Sequence, residues 1–155
     1  MKILTKDLIL KFLKTNKLMA VATHGDFPWI ATVYYTFDKN LNLYFLSSPT
    51  TLHCQQITKN NKVAISIADS HQDIKHKPKI GLQLSGTAEQ ISNITKVKYA
   101  VNLWKKSLGV TNSKISYANM AKKVITGRMY KISPKRIKIF GLFKTEEGQE
   151  PVLEL

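Results

Sequence analysis

The 155-residue chain contains little cysteine and no long apolar run, and each shortage excludes a class of structure. A single cysteine, Cys54, excludes an intramolecular disulfide and favours a reducing compartment, so we expect a cytoplasmic protein. No apolar run approaches the ~18 residues that a membrane-spanning helix needs. Charged residues also interrupt the start of the chain, where a signal peptide needs an apolar segment. We therefore expect no membrane partner.

Acidic residues are scarce, with 10 Asp and Glu against 24 Lys and Arg, for a net charge of +14. A surplus of this size suggests nucleic acid as a partner. However, only Arg128 and Arg136 are arginines, the residue type that forks onto guanine edges and phosphates, whereas lysine is a hydrated point charge. The lysines are also scattered along the chain. We predict no specific nucleic-acid partner, only nonspecific attraction to polyanions.

The apolar patterning predicts one domain over residues 1–155, mainly β with added helices. Strands are predicted at 18–23, 29–37, 43–46, 63–68, 80–89, 124–132 and 136–140, the last two joined by a turn at Ser133, Pro134 and Lys135. Helices are predicted at 5–15 after a Thr5 cap, at 49–59 after a Ser48 cap, at 93–108 between an Asn93 cap and Gly109, and as a short helix from Ser113. The inner side of the third helix is predicted to carry Ile94, Val97, Val101, Trp104 and Leu108. About six strands joined mostly by short turns predict an antiparallel Greek-key barrel.

A cluster of hydroxyl side chains lies where the second helix should begin. Ser47, Ser48, Thr50 and Thr51 precede His53 in its first turn. A helix N-terminus has unpaired backbone N–H groups and partial positive charge, so it suits a phosphate. The competing interpretation is that the hydroxyl residues only cap the helix and form the turn, which their residue types favour anyway, and that His53 is a plain surface histidine.

Other candidate residues carry weaker signals. His71 and His76, in the basic loop 70–78, are candidate haem or metal ligands, but their spacing matches no standard ligand motif and an exposed loop is the favoured interpretation. Cys54 is expected to be a buried small hydrophobe. Trp29, Tyr34 and Tyr35 are candidates to flank a ring-shaped ligand or to lie in a core or interface. No catalytic side chain is identified, because the sequence contains no recognisable triad or paired-carboxylate motif.

Four runs of sequence resemble the pyridoxamine 5′-phosphate oxidase-like split-barrel flavoproteins. They are Phe-Pro-Trp-Ile-Ala-Thr-Val-Tyr-Tyr (27–35), Leu-Tyr-Phe-Leu-Ser-Ser (43–48) followed by Thr51-Leu52-His53, Val-Ala-Ile-Ser-Ile (63–67) and Gly-Leu-Gln-Leu-Ser-Gly-Thr-Ala-Glu (81–89). The resemblance covers most of the chain and is strongest over residues 18–89. It implies a six-stranded antiparallel Greek-key split β-barrel that forms a homodimer and holds FMN at the subunit interface.

The resemblance also implies which residues bind the cofactor. Ile30, Ala31, Thr32 and Val33 would run along the flavin ring and give backbone hydrogen bonds to its polar edge. Ser47 and Ser48 occupy the family's hydroxyl positions, and Thr51 and His53 fall where the family places a hydroxyl and a basic residue on the FMN phosphate. Gly81 and Gln83 would approach the flavin from the partner subunit.

Two departures from the family pattern limit the predicted activity. Leu52 stands where the oxidases proper often have arginine, and a helix N-terminus contributes only about 0.3–1 kcal/mol toward an anion. Further cations are therefore needed, and His53, Lys59 and Lys62 are the candidates. The C-terminal arginine–histidine signature that grips the substrate phosphate in the true oxidases is not visible in residues 140–155, so oxidation of vitamin B6 compounds is not predicted.

The function predicted from the sequence is therefore FMN binding, with a flavin-dependent oxidoreductase activity on an unknown small-molecule substrate. One alternative within the fold is a haem- or deazaflavin-binding protein. An alternative of another class is a non-catalytic binding module with affinity for polyanions.

Overall fold

A computed structural model describes residues 2–75, 78–146 and 148–155. Within these residues the elements follow in the order α1 (Lys6–Leu13), β1 (Leu18–His24), β2 (Pro28–Phe37), β3 (Leu43–Ser47), α2 (Leu52–Lys59), β4 (Lys62–Ala68), β5 (Gly81–Gln90), α3 (Ile94–Leu108), α4 (Tyr117–Ala121), β6 (Arg128–Phe140) and β7 (Val152–Glu154).

The strands form a closed antiparallel barrel. Their order in the sheet is β3-β2-β1-β4-β5-β6-β7, and β3 also pairs with β6, so six strands close on themselves and β7 adds to the outer edge of β6. After the meander β1–β2–β3 the chain crosses to place β4 beside β1, which is a Greek-key connection. The predicted fold class is confirmed.

The last barrel strand corrects the sequence prediction. The structure has one strand over Arg128–Phe140 where two strands and a turn were predicted. Its first part pairs with β3, and nearly its whole length pairs with β5. Pro134 lies opposite Gly86 beside a shift in register, where the missing N–H of a proline does least damage to the ladder. A Cβ on Gly86 would overlap the carbonyl oxygen of Ser133, so this close approach requires glycine.

Local capping explains three of the helices. The side chains of Thr5, Asn93 and Ser116 each accept a hydrogen bond from a backbone N–H in the first turn, at the starts of α1, α3 and α4. Gly109 ends α3 in a left-handed conformation with φ 67°. The predicted inner face of α3 is wrong at Ile94, which is 51% exposed because it lies at the first position of the helix, away from the sheet.

The start of α2 also differs from the prediction. The helix begins at Leu52 with Thr51 as N-cap, three residues later than a start at Pro49 after a Ser48 cap. The Ser48 hydroxyl instead contacts Thr50 Oγ1 at 2.9 Å, and the Ser48 carbonyl accepts a hydrogen bond from Thr51 N at 3.1 Å. These bonds stabilise a turn at residues 48–51, so the helix begins only after it.

Two apolar clusters hold the layers together. The larger one fills the barrel and includes Val21, Phe45, Ile65, Leu82 and Ile132, with residues of α1 and α2 at its ends. The smaller one lies between α3 and the outer surface of β3 and β6. The only helix packed on the outer sheet surface at length is α3, so the outer surface of β1, β4 and β5 carries no helix within the described residues.

Candidate functional site

Three of the predicted site residues meet where β3 ends and α2 begins. Ser47 Oγ lies 2.8 Å from His53 Nε2, and Thr51 Oγ1 lies 3.3 Å from the same nitrogen. His53 is only 8% exposed, so the interpretation of this residue as a plain surface histidine is wrong. The predicted hydroxyl and histidine positions therefore form one hydrogen-bonded cluster, while Ser48 lies one residue outside it and bonds within the turn.

In the part of the chain that the structure describes, the N-terminus of α2 has no side-chain cap. Thr51 occupies the N-cap position, but its hydroxyl donates to the carbonyl of Ser48 at 2.7 Å and does not accept from the first turn. The backbone N–H groups at the start of the helix are thus free of the acceptor that Thr5 gives α1 and Asn93 gives α3. This arrangement leaves donors and positive helix-dipole charge beside His53.

Beneath this cluster lies Cys54, which is fully buried as predicted. Burial alone would raise the pKa of its thiol, but hydrogen bonds from His53, Thr51, Tyr130 and Ser47 outweigh burial and bring the pKa to about 7. Burial, and then the neighbouring Cys54, raise the pKa of the Tyr130 phenol above its ordinary value. The hydrogen bonds around Cys54 therefore favour its thiolate, while Tyr130 is held in its neutral form.

The second feature is a groove on the outer surface of the sheet, with a volume of about 570 Å³. Small side chains form its floor: Ala20 and Ala22 on β1, Ala64 and Ser66 on β4, and Ser85 on β5. Strand pairing aligns them in rows, because Ala22 pairs with both Ile30 and Ala64, and Ala64 pairs with Ser85. We call this feature the outer groove. Arg136, Lys138 and Glu150 also line the outer groove, so it combines small side chains with charged ones.

The outer groove contains two of the predicted site residues, Ile30 and Gln83. Ile30 is 64% exposed, and Tyr34 on the same strand surface is 55% exposed. Tyr35, in contrast, is buried, and its hydroxyl donates to the carbonyl of Leu13 at 2.7 Å, so it cannot flank a ligand on this surface. Trp29 is 49% exposed and lies opposite buried Thr23, on the other face of β2 from Ile30.

Within the described residues, one edge of β2 lacks a strand partner beside the outer groove. Residues 28–34 pair with β1, whereas pairing with β3 starts only at Tyr35. Tyr35 N donates toward β1, to Lys17 O, and successive residues direct their backbone groups to opposite edges. The N–H and C=O groups of Ile30 and Thr32 therefore lie at the open edge, and those of Ala31 and Val33 face β1.

Gly81 packs against Phe140 on β6 of its own chain. It is buried at the start of β5, and a Cβ there would overlap the ring of Phe140. Its side is thus covered by this chain's own aromatic ring, and glycine is needed for that packing. Gln83, two residues later, is exposed and directed to the outer groove.

Several candidate residues lie elsewhere. Lys59 is in the last turn of α2 and Lys62 starts β4, so both lie a helix length from the N-terminus of α2, about 12 Å at 1.5 Å per residue. His71 is exposed and contacts Asp69 at 3.2 Å, which agrees with the exposed-loop interpretation. His76 lies outside the described residues.

Two parts of the site were missed from the sequence. The floor of the outer groove has a signal that was available, since Ala20-Val21-Ala22 and Ala64-Ile65-Ser66 alternate small outward residues with large inward ones. Arg128 is the other missed residue. It lies opposite Ser47 in the pairing of β3 with β6, which no local pattern shows.

The described residues contain no group of three or more His, Cys, Asp and Glu that could hold a metal ion. They also contain no helix with the length and apolar character needed to span a bilayer.

A protein-family comparison agrees with this arrangement. Residues 5–137 match the model of the pyridoxamine 5′-phosphate oxidase family. The chain belongs to that family. The match covers the barrel strands that carry the outer groove and the β3–α2 junction, and it confirms the resemblance inferred from the sequence. No curated protein matches the sequence.

Solved structures show the same fold at low identity. A Listeria innocua protein named for pyridoxamine 5′-phosphate oxidase is 18% identical, with a TM-score of 0.67 over 88% of this chain and 98% of that chain. A Bacteroides thetaiotaomicron protein named for 5-nitroimidazole antibiotic resistance is 17% identical, with a TM-score of 0.70 over 88% and 84%. A haem-binding protein from Mycobacterium smegmatis is 13% identical, with a TM-score of 0.74, and this chain covers 60% of it.

Proposed function

We propose that this protein binds FMN non-covalently as a homodimer and acts as a flavin-dependent oxidoreductase on a small molecule. The observation that carries the proposal is the uncapped start of α2 beside the Ser47–Thr51–His53 cluster. Membership of the pyridoxamine 5′-phosphate oxidase family supports a flavin phosphate as the anion that this cluster receives.

The residues present fit a phosphate. Within the described residues the first-turn N–H groups of α2 lack a side-chain acceptor, and the Ser47 hydroxyl is an additional donor, whereas the Thr51 hydroxyl donates to the Ser48 carbonyl. His53 has one ring nitrogen between these two hydroxyls. A phosphate would replace the contacts within the cluster by charge-assisted hydrogen bonds, which are roughly twice as strong as neutral ones.

The residues present also fit a flat ring. Five small side chains on β1, β4 and β5 line the outer groove, and the open edge of β2 offers the N–H and C=O groups of Ile30 and Thr32. A flavin ring has hydrogen-bonding atoms along one side, so an unpaired strand edge complements it. When bound, FMN supplies the electron transfer, and the protein supplies position and polarity.

A homodimer is supported by the apolar residues exposed around the outer groove. Leu18 and Tyr34 are cross-strand partners and are 46% and 55% exposed, and Ile30 lies further along the same surface. Exposed apolar patches of this kind are typical of protein–protein interfaces. A second subunit placed here would cover the outer groove and exclude water from a bound ring.

Haem is the second candidate ligand, because one structural neighbour is a haem-binding protein. The described histidines offer little support for an iron ligand. His53 is buried and bonded to Ser47, whereas His71 bonds to Asp69 in an exposed loop.

The absorption spectrum of the purified protein separates the two candidates. We expect a flavin spectrum and release of FMN on denaturation, or saturable binding when FMN is added to colourless protein. A Soret band with no affinity for FMN would contradict the proposal and favour haem.

A further inference from the structure

The two arginines of this chain are in different situations. Arg136 lies on the outer surface, where its Nε is 3.0 Å from a carboxylate oxygen of Glu154. Arg128 is half-buried at the start of β6, and no carboxylate of the described residues lies within ion-pair distance of it. The sequence around Arg128 also lacks acids, since residues 91–145 contain no aspartate or glutamate. Arg128 is thus a partly desolvated cation without a counter-ion.

Strand pairing places Arg128 beside the α2 cluster. Arg128 is the direct partner of Ser47 in the pairing of β3 with β6, and directly opposed residues of an antiparallel pair have their side chains on the same face. On that face Ser47 contacts His53. The positive charge of Arg128 also acts to lower the pKa of Tyr130, whose hydroxyl interacts with Cys54 in the first turn of α2.

The guanidinium is held in place and has donors left over. Nη1 donates to the carbonyls of Ile125 and Gly127, both at 2.8 Å, which fixes the side chain against the preceding loop. A guanidinium has five N–H donors. Within the described part of the chain, Nε and Nη2 have no hydrogen-bond partner. These two nitrogens form the edge that binds two phosphate oxygens at once.

We propose that Arg128, on β6, is the cation of the FMN phosphate site. It would take the role of the arginine that the oxidases proper often have at the position of Leu52. Leu52 is apolar and half-exposed, so it contributes no charge to an anion. Lys59 and Lys62 lie at the far end of α2. The proposal rests on the proposed function and adds to it a specificity for the phosphorylated flavin over riboflavin, since riboflavin has the same ring without the phosphate.

The test compares the dissociation constants of FMN and riboflavin for the full-length protein and its Arg128→Gln variant, measured by quenching of flavin fluorescence. We expect Arg128→Gln to weaken FMN by about 10- to 100-fold, the range for loss of a charge-assisted contact, and to leave riboflavin within about twofold. Arg128→Lys keeps the positive charge but loses the two-pronged hydrogen bonding of the guanidinium, so its dissociation constant for FMN should lie between those of the unaltered protein and Arg128→Gln. Lys106→Gln is the control and should change neither constant, because Lys106 is an exposed cation on α3 that does not line the outer groove.

Two outcomes would overturn the inference, and they differ. If the unaltered protein prefers FMN to riboflavin and Arg128→Gln keeps the same preference, Arg128 is not the phosphate ligand, although flavin binding stands. If the unaltered protein binds neither flavin, the proposed function fails and the inference fails with it. Should Arg128→Gln not fold, as judged by its thermal transition, Arg128→Lys decides: an unchanged ratio of the two constants would refute the proposal.

Discussion

The Oγ atom of Ser47 lies 2.8 Å from Nε2 of His53, which joins the end of β3 to the first turn of α2. This contact places a hydroxyl and an imidazole on one side of an uncapped helix N-terminus. Both residues are therefore available to the same anion. The consequence can be tested through His53.

Replacing His53 by glutamine should weaken FMN binding by about tenfold, because the ring loses a charge-assisted contact worth roughly 1.5–3 kcal/mol and the amide recovers part of it. The measurement is the dissociation constant from flavin fluorescence. His71→Gln is the control, since His71 lies in an exposed loop. The His71→Gln variant should bind FMN with the same dissociation constant as the unaltered protein. Equal dissociation constants for the unaltered protein and both variants would show that His53 does not contact FMN.

The open edge of β2 predicts a different effect for the flavin ring. Thr32→Pro removes one backbone N–H at that edge and leaves the ladder with β1 paired, because the groups of Thr32 face away from β1. We expect FMN and riboflavin to be weakened by the same factor, about three- to tenfold for one hydrogen bond of ~0.5–1.5 kcal/mol. Ala31→Pro is the contrast and should lower the melting temperature, since its N–H faces β1. Unchanged affinity for both flavins in Thr32→Pro would show that the ring does not use this edge.

The exposed apolar surface of β2 predicts the oligomeric state. Ile30→Glu should convert the proposed dimer to a monomer, because it places a charge in an apolar interface, and sedimentation velocity would measure the change. Ile94→Glu is matched in chemistry and similar in exposure, at 51% against 64%, but lies on α3 and should stay dimeric. A monomeric unaltered protein would refute the dimer.

Tyr35 predicts how stability depends on alkaline pH. Burial holds the pKa of its phenol above the ordinary value of 10.0, so the neutral form is favoured in the folded state. Stability from this group is therefore complete below pH 10 and is lost as the pH rises toward the folded-state pKa, because the unfolded chain ionises first.

Tyr35→Phe should make that alkaline decline shallower when unfolding by urea is followed at several pH values. At neutral pH the variant should be less stable by about 1–3 kcal/mol, since the Leu13 carbonyl loses its buried donor. Tyr99→Phe is the control, because Tyr99 is half-exposed on α3, outside the proposed interface, and its change should alter neither quantity. An equally steep decline in Tyr35→Phe would contradict the assignment.

The sequence predicted the features that depend on neighbouring residues. The caps of α1 and α3 follow from Thr5 and Asn93 a few residues before the apolar faces, and the end of α3 follows from Gly109. The hydroxyl cluster was predicted for the same reason, because Ser47, Thr51 and His53 lie within one short stretch. The fold class followed from strand order and short connections.

Features that depend on distant pairing were not predicted. Pro134 looked like a turn residue, but the register shift opposite Gly86 lets one strand continue through it. Arg128 looked like an ordinary basic residue, because only the β3–β6 pairing brings it beside Ser47. The late start of α2 depends on competing hydrogen bonds of the Ser48 turn, and a residue pattern does not rank those.

The strand β6 pairs with β3, β5 and β7, and its pairing with β3 has a consequence for synthesis of the chain. Leu43 pairs with Ile132, and Ser47 pairs with Arg128. The second edge of β3 can therefore form its hydrogen bonds only after β6, near the end of the chain, has been synthesised. On the ribosome, the first five strands emerge with β3 and β5 as two unprotected borders. Closure of such distant contacts is slow, and unpaired strand borders attract other chains. We therefore expect nascent or truncated forms that end before β6 to need a chaperone to stay free of aggregates.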